Sequence, residues 1–348
     1  MNRTFILLCA LVCYALCEKF NTSKDFASIS QWASAYGIFK DESNPNRGFF
    51  LTHANVLTIN FETVNVTKDN NIEFGYSYRA PHYDSLAKKI VLFNKFDGPV
   101  QVVVENFDLS TKGFSQTTLP LNTAPSCSML NTKSRQVLLT GLGQSDAIMN
   151  ADTFKVTKLT SGTHFVERGR PCHYNSKAKH GYVVSFDQSK KLGQLVVYDM
   201  NEMNNVRSSS YDLPFTEPLY LAHVSFDEVR NQLYISYAQM EGADQHIGAS
   251  AVLRFDLKDN SVKKIDAGEG RVINGQFLDE RTGQIYFSVE KGDIMMPSSD
   301  FTSFKSQKVK GFTDKGRYVV GCGVVHYNKN DMPVAFVKDH YSDLSMFQ

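Results

Sequence analysis

One short pattern recurs seven times along this chain: an apolar residue, then Asp or Asn, then a few residues of charged or small turn chemistry, then a run of β-forming residues. It reads Tyr83-Asp84 before Ile90-Val91-Leu92-Phe93, Leu130-Asn131 before Val137-Leu138-Leu139, and Phe226-Asp227 before Leu233-Tyr234-Ile235-Ser236. It returns as Leu278-Asp279 before Ile285-Tyr286-Phe287-Ser288, and as Tyr327-Asn328 before Val334-Ala335-Phe336. Tyr174-Asn175 precedes Tyr182-Val183-Val184 with one extra residue, and Asp41 before Phe49-Phe50-Leu51 is a looser seventh copy. An Asx side chain can bond backbone two residues on, so the pattern encodes the turn between two antiparallel strands.

A third strand follows in each unit, commonly ending in an aromatic and an acidic residue: Phe61-Glu62, Phe107-Asp108, Tyr198-Asp199, Phe255-Asp256. Asp152 and Asp300 are read as the equivalents in their own units. A fourth, more polar strand such as Val262-Lys263-Lys264-Ile265 closes the unit. The Asx positions 41, 84, 131, 175, 227, 279 and 328 lie 43 to 52 residues apart. That period, with four strands per unit and almost no helical periodicity, predicts an all-β, seven-bladed β-propeller of four-stranded antiparallel blades. Sandwich strands would not recur in matched sets of four. The last unit ends at its third strand, and a spare segment from Asp25 to Trp32 precedes the first. That segment is expected to serve as the outer strand of the seventh blade, closing the ring and removing a sheet edge.

The chain from Glu18 on resembles secreted members of the β-propeller superfold. It has one tryptophan, Trp32, and no Trp-Asp strand ends, so it is unlike WD40 propellers; paired glycines of the kelch type are missing too. The loose patterning is more similar to calcium-dependent lactonases and other extracellular propellers. This resemblance implies either a binding or scaffolding protein, or a propeller hydrolase holding Ca²⁺ in its channel.

Met1 to Arg3 carry one positive charge, Phe5 to Leu16 form an apolar run, and Ala15-Leu16-Cys17 puts small residues where a signal peptidase reads. Residues 1–17 are therefore expected to be a signal peptide, and 18–348 one secreted domain. Sequons at Asn21-Thr22-Ser23 and Asn65-Val66-Thr67 are expected glycosylation sites. After Cys17 no apolar stretch reaches the ~20 residues of a membrane span. A net charge of +1, from 37 basic and 36 acidic residues, gives no nucleic-acid footprint. The partners expected are extracellular proteins, peptides or glycans. Beyond the leader the cysteines are Cys127, Cys172 and Cys322. The first two begin innermost strands of adjacent units and are expected to pair, leaving Cys322 free and buried.

Two sets of loops should surround the mouth of a propeller's channel: those from strand two to strand three, and those between blades. The first carries Asp97, Asp146, Asp187, Asp244, Asp293 and Asp339; the second carries Arg79, Arg168, Arg170, Arg271 and Arg317. One reading is a mouth ringed by acid and base that holds a polar ligand, a sugar, or a cation with an anionic partner. The other is ordinary loop chemistry, with arginines pairing to carboxylates and tying blades together. His82, His173 and His326 each stand two residues before an Asx, on blades too far apart to share a metal, and read as packing. No Gly-x-Ser-x-Gly elbow, His-Glu-x-x-His pair or phosphate-binding glycine loop occurs, so the chain reads as a binder before an enzyme.

Overall fold

The computed structural model describes residues 22–28, 35–41, 44–52, 55–63, 65–71, 78–95, 102–143, 145–160, 162–164, 166, 168–203, 206–241, 246–268, 271–289, 293–308, 319–327, 333–339 and 343–347. In it the repeated Asx residues act as turn acceptors. Asp84 Oδ1 accepts from Ala87 N at 3.1 Å, and Asn131 Oδ1 from Lys133 N at 3.1 Å and Ser134 N at 3.3 Å. Asn175 Oδ1 takes Lys177 N and Ala178 N, both at 3.0 Å. Asp227 and Asp279 repeat the motif with Val229 N and Arg230 N, and with Arg281 N and Thr282 N. Four residues past each Asx the chain turns left-handed, at Lys88, Arg135, Lys179, Asn231 and Gly283 (φ 52°, 56°, 54°, 56° and 68°). Four of these five are not glycine, so those four hairpins hold a conformation that is unfavourable for a residue with a Cβ, least so for Asn231.

The strands are antiparallel meanders of four, running from an innermost strand outward. The first spans 35–71, the second 78–119, the third 127–158, the fourth 172–213, the fifth 219–266 and the sixth 273–308. The seventh is built from 319–347 together with Thr22–Ser28, which lies antiparallel beside Asp343–Phe347. That N-terminal strand begins three residues earlier than the expected Asp25. Hydrogen bonding groups all of this into six sheets. The sixth and seventh meanders merge into eight strands through one parallel bridge, Gln276 to Cys322, and a short strand, Arg168–Arg170, joins the fifth in parallel.

Each innermost strand touches the next: Ala35–Asp41, Tyr78–Asp84, Cys127–Asn131, Cys172–Asn175, Leu219–Asp227, Ile273–Asp279 and Val319–Tyr327, which in turn touches Ala35–Asp41. The core lies between meanders more than within them. Phe49, Ile90, Leu92 and Phe107 pack the first against the second; Phe93, Val104, Leu130 and Leu139 the second against the third. Tyr182, Leu195, Phe226 and Leu253 join the fourth to the fifth.

Two turn assignments are corrected. In the third meander the acceptor between strands three and four is Asn150, whose Oδ1 takes Asp152 N and Thr153 N, while Asp152 itself binds Arg135. In the sixth, Ser298 Oγ takes Thr302 N and Ser303 N, and Asp300 Oδ2 accepts from Thr302 Oγ1. A serine hydroxyl or an asparagine amide oxygen performs the same local bonding as a carboxylate.

Candidate functional site

At the end bearing the loops from strand two to strand three, the described carboxylates are already committed. Asp146 is 0% exposed. It accepts from Thr163 N, Thr163 Oγ1 and Gly141 N at 3.0–3.2 Å, and its other oxygen accepts from the Tyr198 hydroxyl. Burial raises its pKa, against the pull of these donors. It clasps a loop and does not line the mouth, which corrects its reading as a ligand group. Asp187 Oδ1 caps its own turn, taking Ser189 N, Ser189 Oγ and Lys190 N, and Oδ2 takes Gln194 Nε2. Turn bonding, led by the Ser189 hydroxyl, lowers its pKa.

Arg271 is exposed, two residues before Ile273–Asp279, and its Nη1 lies 3.6 Å from Met295 Sδ. Arg79 is the second residue of Tyr78–Asp84, and Arg168 and Arg170 bound the short parallel strand; their side chains lie outside the described residues. So do the side chains of Asn65, Asp293, Cys322, His326 and Asp339, and the whole of Asn21, Asp97, Asp244 and Arg317. Among the described residues no group of three or more His, Cys, Asp or Glu is placed to hold a metal ion.

The opposite end, where the Asx turns lie, carries the ties between meanders that sequence reasoning placed at the mouth. Arg135 of the third meander reaches Asp84 of the second at 2.7 Å as well as Asp152. Arg230 of the fifth binds Asp227 at 2.8 Å and donates to Thr282 O of the sixth. His82 Nδ1 is 2.6 Å from Ser128 Oγ in the third meander, whose hydroxyl proton goes to Ala80 O, so His82 donates. Burial, its largest influence, lowers the pKa of His82 to about 4.

The seam between the third and fourth meanders is filled. Cys127 and Cys172 are joined by a disulfide with Cα atoms 6.1 Å apart. Asn131 Nδ2 donates to Met200 O at 3.1 Å, and Met200 and Met203 are buried against Met129, Ile148 and Tyr198. Gly181 makes this packing possible, since a Cβ there would stand 3.0 Å from both Met129 Sδ and Met200 Sδ.

The seam between the fourth and fifth meanders is open at the same end. The turn that would cover it, residues 257–261, has five residues against seven in the turn 200–206, and no methionine plug. A cleft of about 500 Å³ results, inside the ~300–1,000 Å³ range of small-ligand sites. One wall is the face of the fourth meander. His180, Asp199 and Arg207 form its outer row in direct cross-strand register, and Tyr182, Val197 and Ser209 the next row in. Tyr211 lies deeper, and the fifth meander supplies Asn231, Leu257 and Asn260.

Beneath the cleft, Tyr182 stacks on Phe226 with ring centroids 5.6 Å apart, and Tyr211 meets Phe255 edge-on at 5.5 Å. Burial and then the neighbouring Tyr211 raise the pKa of Tyr182. Asp199 accepts from Asn201 N and Nδ2, and those bonds, with His180 and Arg207 nearby, hold its carboxyl below the ordinary range. Sequence reasoning missed this site. Its only trace in the sequence is the shortness of the Leu257 to Ser261 turn beside the Met-bearing turn of the preceding unit.

No protein-family profile matches the chain, and no curated protein matches it in sequence. In fold it is similar to two crystal structures of the extracellular domain of BT4673 from B. thetaiotaomicron, assigned in one to a one-component system and in the other to a hybrid two-component system. The TM-scores are 0.61 and 0.60, each at 10% identity over 93% of this chain. The chain spans 40% and 39% of those two chains. At that identity the likeness is one of fold.

Proposed function

We propose that this is a secreted seven-bladed β-propeller that binds an extracellular ligand in the cleft between its fourth and fifth blades. The cyclic order of contact among the seven innermost strands supports ring closure, and the lodging of Thr22–Ser28 beside Asp343–Phe347 supports its sealing by the N-terminal strand. The leader-like residues 1–17 support export, and the extracellular placement of the structural neighbours agrees with it. Asn65 opens an outer strand, Asn65–Asn71, with Thr67 exposed, as a glycosylated sequon requires.

The observation that carries the binding role is the open seam itself: a recess of small-ligand size on a rigid scaffold, where the neighbouring seam is plugged. A thermal-shift screen of saccharides, short peptides and nucleosides tests it. A ligand at 100 times its Kd stabilises by about 2.7 kcal/mol. At least one compound is expected to raise Tm, and the shift should vanish in Ser209→Trp, which fills the cleft from an exposed strand position. Turnover of lactone or ester probes that needs added calcium would replace this reading with a hydrolase. For closure, a chain starting at Tyr36 loses the partner of Asp343–Phe347 and should aggregate or melt early; full stability would refute the sealed ring.

Arg271, exposed and with no carboxylate partner among the described residues, supports a role for the loop-bearing face. If that face binds, Arg170→Ala with Arg271→Ala abolishes partner binding at unchanged Tm. If the arginines are ties, the same pair lowers Tm and leaves binding intact.

A further inference from the structure

Resting on the cleft as the ligand site, we propose that its occupant is a neutral saccharide of one or two rings. Two polar side chains more than nine-tenths buried end in the cleft without a protein partner for the group they present. Asn175 is 6% exposed; its Oδ1 is used by the hairpin, while its Nδ2 makes no bond among the described residues. The equivalent Nδ2 of Asn131 is spent on Met200 O, so the free amide follows from the missing plug. Tyr182 is 3% exposed, and its hydroxyl has no hydrogen bond among the described residues although it borders a polar recess. Both groups face the cleft and its solvent, so each is a donor that a ligand hydroxyl can take over from water.

The rest of the lining narrows the ligand's chemistry. Asn231 and Asn260 add two amides, each able to donate and accept at once, which matches a hydroxyl that does both. Charge on the wall is balanced: Asp199 sits in register between His180 and Arg207, so neither an anion nor a cation finds a net field. The wall strands are paired to each other across His180, Asp199 and Arg207, so between them they offer an extended peptide no free backbone ladder. Tyr182, Tyr211, Val197 and Leu257 give apolar surface of the kind that the C–H face of a pyranose covers. A ligand dense in hydroxyls, uncharged, and apolar on one face satisfies all of these at once.

The test is saturation-transfer NMR and calorimetry on the secreted full chain. The probes are maltose, cellobiose, lactose, xylobiose and N,N′-diacetylchitobiose, with a Tyr-containing tetrapeptide and adenosine alongside. At least one disaccharide is expected to bind, and to weaken tenfold or more in Asn175→Ala and in Ser209→Trp, with Tm held within about 2 °C. Disaccharide binding that survives Ser209→Trp would place the sugar elsewhere and overturn the proposal. Silent sugars, with tetrapeptide or adenosine binding lost in Ser209→Trp, would overturn the saccharide and leave the cleft as the ligand site. Silence from every probe overturns both. Should Asn175→Ala melt early, Tyr182→Phe gives the same reading through the hydroxyl alone.

Discussion

The seam between the third and fourth meanders and the seam between the fourth and fifth share one wall-forming unit and opposite fates. At the first, a disulfide, two buried methionines and an Asn131 amide bond close the Asx-turn end. At the second, an Asn in the same place, Asn175, caps its hairpin identically and then faces open space. The difference does not arise in the repeated motif. It arises in the neighbour's outer turn, seven residues with Met200 and Met203 in one case and five without them in the other. In a repeat architecture the motif builds the scaffold, and the departures from it decide where the scaffold is hollow.

The largest expected effect breaks the closed seam. The disulfide spans 45 residues of sequence, and a loop of that length corresponds to about 4 kcal/mol in the chain-entropy account. Cys127→Ser with Cys172→Ser is expected to lose 2–4 kcal/mol in urea unfolding. A loss below 1 kcal/mol would mean that the methionine plug alone holds the seam.

A third seam, between the second and third meanders, extends the contrast to pH. His82 is buried there with its pKa lowered to about 4, against 6.5 in an unfolded chain. Between those values the unfolded state binds more protons, so the contribution is complete above pH 6.5 and is lost as pH falls toward 4, by up to about 3 kcal/mol. Urea unfolding at pH 7.5 and 4.5 should show a shallower loss in His82→Gln than in the parent; equal losses would remove His82 as the cause.

The same substitution placed in both seams sharpens the comparison most directly. Asn131→Asp keeps the turn acceptor but sets a carboxylate against Met200 O, and should cost about 1–3 kcal/mol. Asn175→Asp keeps its turn bonds and meets only the cleft, and should fall within about 0.5 kcal/mol. Equal costs would show that the cleft is no more open than its neighbour. A modest effect within the closed seam is Gly181→Ala, where the added Cβ presses on two flexible thioethers, for about 1 kcal/mol.

The repeated all-β units of four antiparallel strands were legible in the sequence because each hairpin is specified locally: an Asx acceptor, a turn, a β run. Where chemistry substitutes freely the reading slipped, as with Asn150 for Asp152 and Ser298 for Asp300. Cys127 and Cys172 could be paired because both begin innermost strands of adjacent units, one residue out of step with each other. The site was not legible. Whether Asp146 lines a mouth or clasps a loop depends on Thr163 and Tyr198, 17 and 52 residues away. The cleft depends on two turns in different units, neither notable alone.

The short strand Arg168–Arg170 gives the open seam a mechanical character. It leads into the fourth meander and pairs in parallel with Leu221 to His223 of the fifth, at the end away from the cleft. Gly169 permits this lap joint, since at φ 97° a Cβ would lie 2.1 Å from Ala222 O. The two units are thus joined by backbone at one end and, at the other, by side chains alone, among them the exposed Lys177–Glu228 ion pair, the layout of a jaw with its stiff end at Gly169. Any rotation about that joint would move the walls furthest at the Asx turns, where the recess lies.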